Sequence, residues 1–186
     1  LIDQSGSMTE GFGGGDRWDA VYDTTMGNDA VVPRLQSAIR FGLSLYTSFD
    51  GFAGGDCPVV TTVSPALDNF DAMNTIFTMS DPESDTPTGE ALDAVVAELQ
   101  QIQDPGRKII IVGTDGEPDT CAEPNPQNGQ SVAIAAAQRA FDAGIRVYVV
   151  SVGDDVGAQH LQDMANAGAG LPVGGTENEP YFVALQ

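Results

Sequence analysis

One stretch constrains the chain more than any other: Lys108-Ile109-Ile110-Ile111-Val112-Gly113-Thr114. It is continuously apolar from Ile109 to Val112, with no period-two alternation. Such a run reads as a parallel strand covered on both faces. A second one, Ile145 to Val152, follows an alanine-rich helical pattern over Ser131 to Ala143, with Gly144 at the C-terminal cap position. Before the first lies an amphipathic helix, Thr88 to Ile102, whose Ala91, Leu92, Val95, Val96, Leu99 and Ile102 recur at helical spacing. Asp104-Pro105-Gly106 stops it. After the second come a helix over Gly157 to Ala167 and a strand over Tyr181 to Leu185. Alternating strands and helices predict an α/β fold, doubly wound, with a mostly parallel central sheet and helices on both faces.

The first half of the chain fits the same frame. A helical pattern starts at Arg17-Trp18-Asp19-Ala20-Val21-Tyr22 and stops near Gly27. A second runs from Val31 to Ile39, with Pro33 tolerated in its first turn. Phe41 to Tyr46 alternates as a strand, a turn follows at Asp50 to Asp56, and the β-branched Val59 to Val63 pairs back as a hairpin. That hairpin supplies one antiparallel edge strand. Asp68 to Met79 holds a short helix. The 186 residues suit one domain, 1–186, with no repeat and no linker. Only two residues precede Asp3, fewer than the five or six of a typical strand. The expectation is a domain trimmed at both ends from a longer protein.

In such sheets ligands bind beyond the carboxyl ends of the strands. Three polar segments follow or face those ends. The chain opens Leu1-Ile2-Asp3-Gln4-Ser5-Gly6-Ser7-Met8, with oxygens at Asp3, Ser5 and Ser7. Asp85-Thr86-Pro87-Thr88-Gly89-Glu90 precedes the amphipathic helix. Thr114-Asp115-Gly116-Glu117 follows the long apolar strand. Carboxylates and hydroxyls without histidine or cysteine are hard ligands, which select Mg²⁺, Mn²⁺ or Ca²⁺ over zinc or copper. Two carboxylates balance a divalent ion. Neutral hydroxyls then leave it short of one anionic oxygen, which a partner's Asp or Glu could supply.

Charge narrows the partners. Seven basic residues against 27 acidic ones give a formal charge of −20. That argues against nucleic acid and against anionic membrane surfaces, which need a basic face. No apolar run is long enough to span a bilayer.

Asp3-Gln4-Ser5-Gly6-Ser7, Thr86 and Thr114-Asp115-Gly116, in that order, resemble the metal-ion-dependent adhesion site of von Willebrand factor type A domains. Integrin inserted domains carry the same arrangement. The resemblance covers nearly the whole chain. It implies a Rossmann-like fold and one divalent cation, Mg²⁺ first and Mn²⁺ or Ca²⁺ next. It implies that Ser5, Ser7 and Thr86 contact the metal directly or through water. Asp3 and Asp115 would hold it largely through waters or from behind. Thr88 is expected to cap the helix. The implied function is adhesion: a protein ligand presents Asp or Glu to an open coordination position. Departures from the family pattern are the very short first strand, the lack of a closing helix after the last strand, and the glycine-rich connection from Ser7 to Arg17.

Other readings stand beside this one. A scaffold domain in a multiprotein assembly could keep the metal for structure alone. A metal-assisted hydrolase could activate water at the ion. There is no general base in a matching place, no nucleophile elbow and no P-loop, so the expectation is no enzyme. Asp81, Glu83 and Asp85 read as an exposed acidic loop, with a second calcium site as the alternative. Asp154-Asp155 are expected to cap the helix that follows, His160 to lie on the surface, and Trp18 to pack against a helix. Cys57 and Cys121 are either two buried thiols or one disulfide. Both sit in Gly/Pro/Asp-rich loops toward the metal face, and a bridge would be worth about 4 kcal/mol in the chain-entropy model. The pair, with the acidic balance, points to an extracellular or cell-surface protein, bacterial by its acidity, with a cytoplasmic home as the alternative.

Overall fold

In a computed structural model, residues 1–49, 55–123 and 127–185 are described. Six strands form the main sheet: β1 (Ile2–Asp3), β4 (Phe41–Thr47), β5 (Val59–Ala66), β6 (Lys108–Thr114), β7 (Ile145–Val152) and β8 (Phe182–Ala184). A small antiparallel pair, β2 (Gly11–Phe12) and β3 (Gly15–Asp16), folds the glycine-rich connection that the sequence suggested was only a loop. The helices are α1 (Arg17–Thr25), α2 (Val31–Leu35), α3 (Phe70–Met79), α4 (Thr88–Gln101), α5 (Gln130–Asp142) and α6 (Ala158–Ala169). The sheet order is β5-β4-β1-β6-β7-β8, with β5 antiparallel and the remaining pairs parallel. This is the expected doubly wound sheet with one antiparallel edge.

The two faces are covered unequally. On one, α4, α5 and α6 pack Leu92, Val96, Ala136, Ala140 and Ala167 against Ile110, Val112, Ile145 and Val147. The alanines let the helices approach closely. A Cβ on Gly89 of α4 would come within 2.8 Å of the Val132 carbonyl carbon in α5, so that crossing needs glycine. On the other face, Val21, Met26, Met73 and Phe77 pack on Ile2, Leu43, Leu45 and Val152. Trp18 does pack as expected, its ring 4.3 Å from that of Phe77.

One expectation needs correcting here. Strand β6 is not covered on both faces, because Ile109 is 51% and Ile111 49% exposed. On that face α3 packs on β4 and β5, and α1 sets Val21 into the cluster around Leu43, Leu45 and Val152, while the alternate isoleucines of β6 stay half open. Three boundaries also shift by two residues or more: α2 stops at Leu35, β5 runs on to Ala66, and α6 runs on to Ala169, ended by Gly170 in the left-handed conformation (φ 74°). The Asp50–Gly54 part of the expected hairpin turn lies outside the described residues.

Strand β1 sits at the centre of the sheet despite its two residues. Ile2 pairs with Leu45 on one side and Gly113 on the other. Asp3 therefore emerges beside Tyr46 and near the end of β6, between the two loops that carry the other polar segments.

Candidate metal centre

The opening motif leaves β1 and turns at once into a short 3-10 helix, Gly6–Thr9. The turn is held by Asp3, whose Oδ1 accepts from the Ser5 N–H at 2.8 Å. Its Oδ2 accepts from the Thr114 hydroxyl at 2.7 Å, which ties the end of β1 to the end of β6. Ser5 Oγ and Ser7 Oγ lie 2.9 Å apart, and Ser7 Oγ donates to Asp115 Oδ1 at 2.8 Å. Asp3, Ser5, Ser7 and Asp115 thus form one hydrogen-bonded chain across two loops.

Thr86 comes in from the third loop. Residues 81–84 are stitched to the opening motif by Gln4 Nε2 donating to the Asp81 carbonyl (2.8 Å), Glu83 N–H to the Gln4 carbonyl (2.7 Å) and Gly6 N–H to the Ser84 carbonyl (3.1 Å). Thr86 itself is buried. Its N–H donates to Asp119 Oδ2 at 3.2 Å, and its carbonyl accepts from the Asp119 N–H at 2.9 Å. Among the described residues its hydroxyl has no protein hydrogen bond. All five expected site residues thus stand on three interlocked loops at the carboxyl end of the sheet.

Burial disfavours the charged form of the carboxylates on these loops. Asp3 and Asp115 are both fully buried. Burial, reinforced by the Asp115 charge, pushes the Asp3 carboxyl up to about 7, against the pull of its two hydrogen bonds. Burial also raises Asp115, opposed by its contacts with Arg17 and Ser7. Asp119 is pushed up to about 6 by burial and by the neighbouring Asp85 charge, opposed by the Thr86 N–H. Buried carboxylates with so few compensating cations suit a bound cation, and the hydroxyl and carboxylate oxygens are the donors a hard ion takes.

Three residues important to this geometry went unread in the sequence. Arg17, the first residue of α1, sends Nη1 to Asp115 Oδ2 at 2.8 Å. Asp119 positions Thr86. Glu117 accepts from the Gly157 N–H at 2.6 Å and the Gln130 amide at 2.9 Å, fastening the Asp115 loop to the start of α6. A signal existed only for Arg17: a rare basic residue just after a capping aspartate, close to the motif. Asp119 and Glu117 had no period or spacing to set them apart from other loop acids.

Four expectations about neighbouring residues change or resolve. Thr88 is not a helix cap; it lies within the first turn, and its hydroxyl meets Tyr46 OH at 3.0 Å. Asp154 and Asp155 do not cap α6, whose N-cap is Gly157, because Asp155 is drawn to Arg17 instead. His160 is buried at 8% exposure, not on the surface; α6 turns it inward, and burial lowers its pKa. Cys57 and Cys121 are joined, with Cα atoms 5.4 Å apart across 64 residues of chain. The bridge ties the loop before β5 to the loop after Asp115. Asp81 and Glu83 are exposed, as expected of an acidic loop, but Asp85 is half-buried, its Oδ2 accepting from the Ser48 hydroxyl at 3.2 Å.

The comparisons agree with this geometry at the level of fold and family. The family profile "von Willebrand factor type A domain" matches residues 1–173. Among curated proteins none matches. Solved structures are similar at low identity. The conserved hypothetical protein BatB from Bacteroides thetaiotaomicron shares 18% identity and a TM-score of 0.64, covering 100% of this chain and 88% of that one. The pilus adhesin SpaC from Lactobacillus rhamnosus GG, in an open conformation, shares 18% with a TM-score of 0.71, covering 100% of this chain but 27% of its own length. Manganese-loaded TRAP protein of Plasmodium vivax shares 18% with a TM-score of 0.57, covering 100% of this chain and 66% of that one. Likeness at this identity speaks for the fold, while the profile match spans most of the chain. With its sheet order and its three interlocked loops, the chain belongs to the von Willebrand factor type A domain family.

Proposed function

We propose that this domain binds protein ligands through a divalent cation held at a metal-ion-dependent adhesion site, as integrin inserted domains do. Asp3, Ser5, Ser7, Thr86 and Asp115 would hold the ion, Mg²⁺ first, with Mn²⁺ or Ca²⁺ as alternatives. The bound ion would supply a positive centre for an Asp or Glu side chain of the partner. The observation that carries the reading is the continuous chain from Asp3 through Ser5 and Ser7 to Asp115, built on two fully buried carboxylates. A manganese-loaded relative in fold and a pilus adhesin among the similar structures support it. The donor set is hydroxyl-rich, and the one histidine is buried in α6. We therefore read a binding module, not a hydrolase. The disulfide and the acidic surface favour an extracellular or cell-surface setting.

The test begins with calorimetric titration of MgCl₂, MnCl₂ and CaCl₂ into chelator-treated protein and into Asp115→Ala. One ion per chain, lost in the variant, is expected. Water-proton relaxation of the Mn²⁺ form then reads whether a coordination position exchanges with solvent, and whether millimolar glutarate, as a carboxylate probe, displaces that water. Stoichiometric Mn²⁺ binding without exchangeable water would sink the adhesion reading. It would favour the second reading, a scaffold domain with a structural metal.

A further inference from the structure

The metal face contains a cation of its own. Arg17 is 6% exposed and reaches acids from three loops: Asp115 after β6, Glu10 before β2 (3.1 Å) and Asp155 after β7. Its place is built. Asp16 and Asp19 form a reciprocal capping box that starts α1 at Arg17. Gly153, with φ 93°, lies against the guanidinium, where an added Cβ would stand 2.9 Å from Nη2. The Glu10 and Asp155 side chains are more than half exposed, so solvent screens their pairing with Arg17. Asp115 is fully buried, and its two oxygens are divided. Oδ1 takes the Ser7 hydroxyl, on the side of the proposed metal donors, and Oδ2 takes Arg17.

We propose that Arg17 is a resident counter-cation that stabilises the metal-free site and lowers its affinity for a divalent ion. This rests on the reading of the site as a cation cradle. Arg17 and the ion neutralise the same buried carboxylate from its two oxygens, so each weakens the need for the other. With Arg17 present, the two site carboxylates no longer fully offset a divalent charge. A loaded site keeps net positive charge for an acidic ligand. Arg17 is a positioning and charge-setting residue, not a metal ligand.

The experiment compares wild type, Arg17→Met, Asp115→Asn and the double variant at pH 8, by thermal unfolding in chelator and by calorimetric titration of MnCl₂. In chelator, Arg17→Met is expected to lower the melting temperature by several degrees. Asp115→Asn in the same chain should recover most of that loss, because the buried charge Arg17 answered is gone. For Mn²⁺, Arg17→Met is expected to bind about tenfold more tightly than wild type, equivalent to roughly 1.4 kcal/mol. Asp155→Asn, at an exposed position, covers the case in which Arg17→Met does not fold. It leaves more of the Arg17 charge facing Asp115 and should weaken Mn²⁺ binding about twofold to threefold even at 0.5 M NaCl, where salt screens the direct effect of the lost Asp155 charge; a weakening that vanishes at that salt overturns the counter-cation role. One Mn²⁺ bound by wild type, but bound equally or more weakly by Arg17→Met, overturns the counter-cation role and leaves the site reading intact. No Mn²⁺ bound by wild type or by either single Arg17 or Asp155 variant overturns both.

Discussion

Two acidic regions share the carboxyl end of this sheet, and they differ in one respect. Asp3 and Asp115 are fully buried, each tied by hydrogen bonds to a loop other than its own. Asp81 and Glu83, on the loop stitched to the opening motif, face solvent. The residue types are the same and the regions are neighbours in the fold. Water compensates the exposed pair at little cost. The buried pair has one arginine, one threonine hydroxyl, one serine hydroxyl and one backbone N–H. Burial, not acidity, is what turns carboxylates into a demand for a cation. Within the buried pair the compensation also differs: Asp115 has a full counter-charge in Arg17, while Asp3 has neutral donors alone.

The largest break in that comparison is at Asp3. Asp3→Ala removes the carboxylate that holds both the Ser5 turn and the end of β6. Divalent-cation affinity is expected to fall more than about a hundredfold, since each lost charge-assisted contact is worth roughly 1.5–3 kcal/mol. Asp3→Asn separates charge from shape. Its amide can still accept one of the two hydrogen bonds, so the fold should persist while the affinity falls nearly as far. An Asp3→Asn protein that binds Mn²⁺ as wild type does would show that the Asp3 charge is not part of the cradle.

The next break is pH, applied to metal-free protein. The Asp3 carboxyl is raised from 3.8 to about 7, chiefly by burial and then by Asp115. Between those values the native chain holds a proton that the unfolded chain has released. Stability must therefore fall as pH rises through that window. Asp119, raised to about 6, adds the same sign. In chelator the melting temperature is expected to drop by something on the order of 5 °C from pH 5 to pH 8, at a few degrees per kcal/mol for a domain this size. Saturating Mg²⁺ should flatten or reverse the slope, because the ion favours the ionised form. Asp3→Asn should remove most of it. A melting temperature that rises with pH in chelator would contradict the burial argument.

How far the sequence reveals this site depends on which residues carry a pattern. Strands β6 and β7 and helices α4 and α5 follow from hydrophobic runs and periods, because the sheet face they build is fully covered. The open half of the other face has no such record. Ile109 and Ile111 look like any buried pair, since an apolar run does not say whether a helix lies across it. That Asp3, Ser5, Ser7, Thr86 and Asp115 would stand on three neighbouring loops at one end of the sheet was legible in their spacing and order. Arg17, Asp119 and Glu117 were not. Their roles come from contacts between loops far apart in sequence, such as Arg17 with Asp155 and Glu117 with Gly157. His160 misleads for a related reason: polar neighbours in sequence do not reveal the direction in which α6 turns it.

The smallest effect is the sharpest test of the comparison. Asp81→Asn and Glu83→Gln remove two negative charges next to the opening motif but leave the contacts of the loop intact, because residues 81 and 83 bond there through main-chain atoms: the Asp81 carbonyl accepts from the Gln4 side-chain amide, and the Glu83 N–H donates to the Gln4 carbonyl. If proximity of negative charge were enough, the double variant would lose cation affinity on the scale of Asp3→Asn. If burial decides, the exposed charges act through high-dielectric water and act weakly. About 1 kcal/mol at 4 Å in bulk water, less at larger separations, corresponds to no more than a few-fold change. Salt shrinks it further, since exposed charges are screened within about 8–10 Å at 0.10–0.15 M. The expected result is a change of about twofold in the Mn²⁺ dissociation constant at low salt, vanishing at 0.5 M NaCl, while the loss in Asp3→Asn persists at both. A tenfold loss in Asp81→Asn/Glu83→Gln that survives high salt would place these acids inside the cradle. The divide between the two regions would then lie somewhere other than at the solvent boundary.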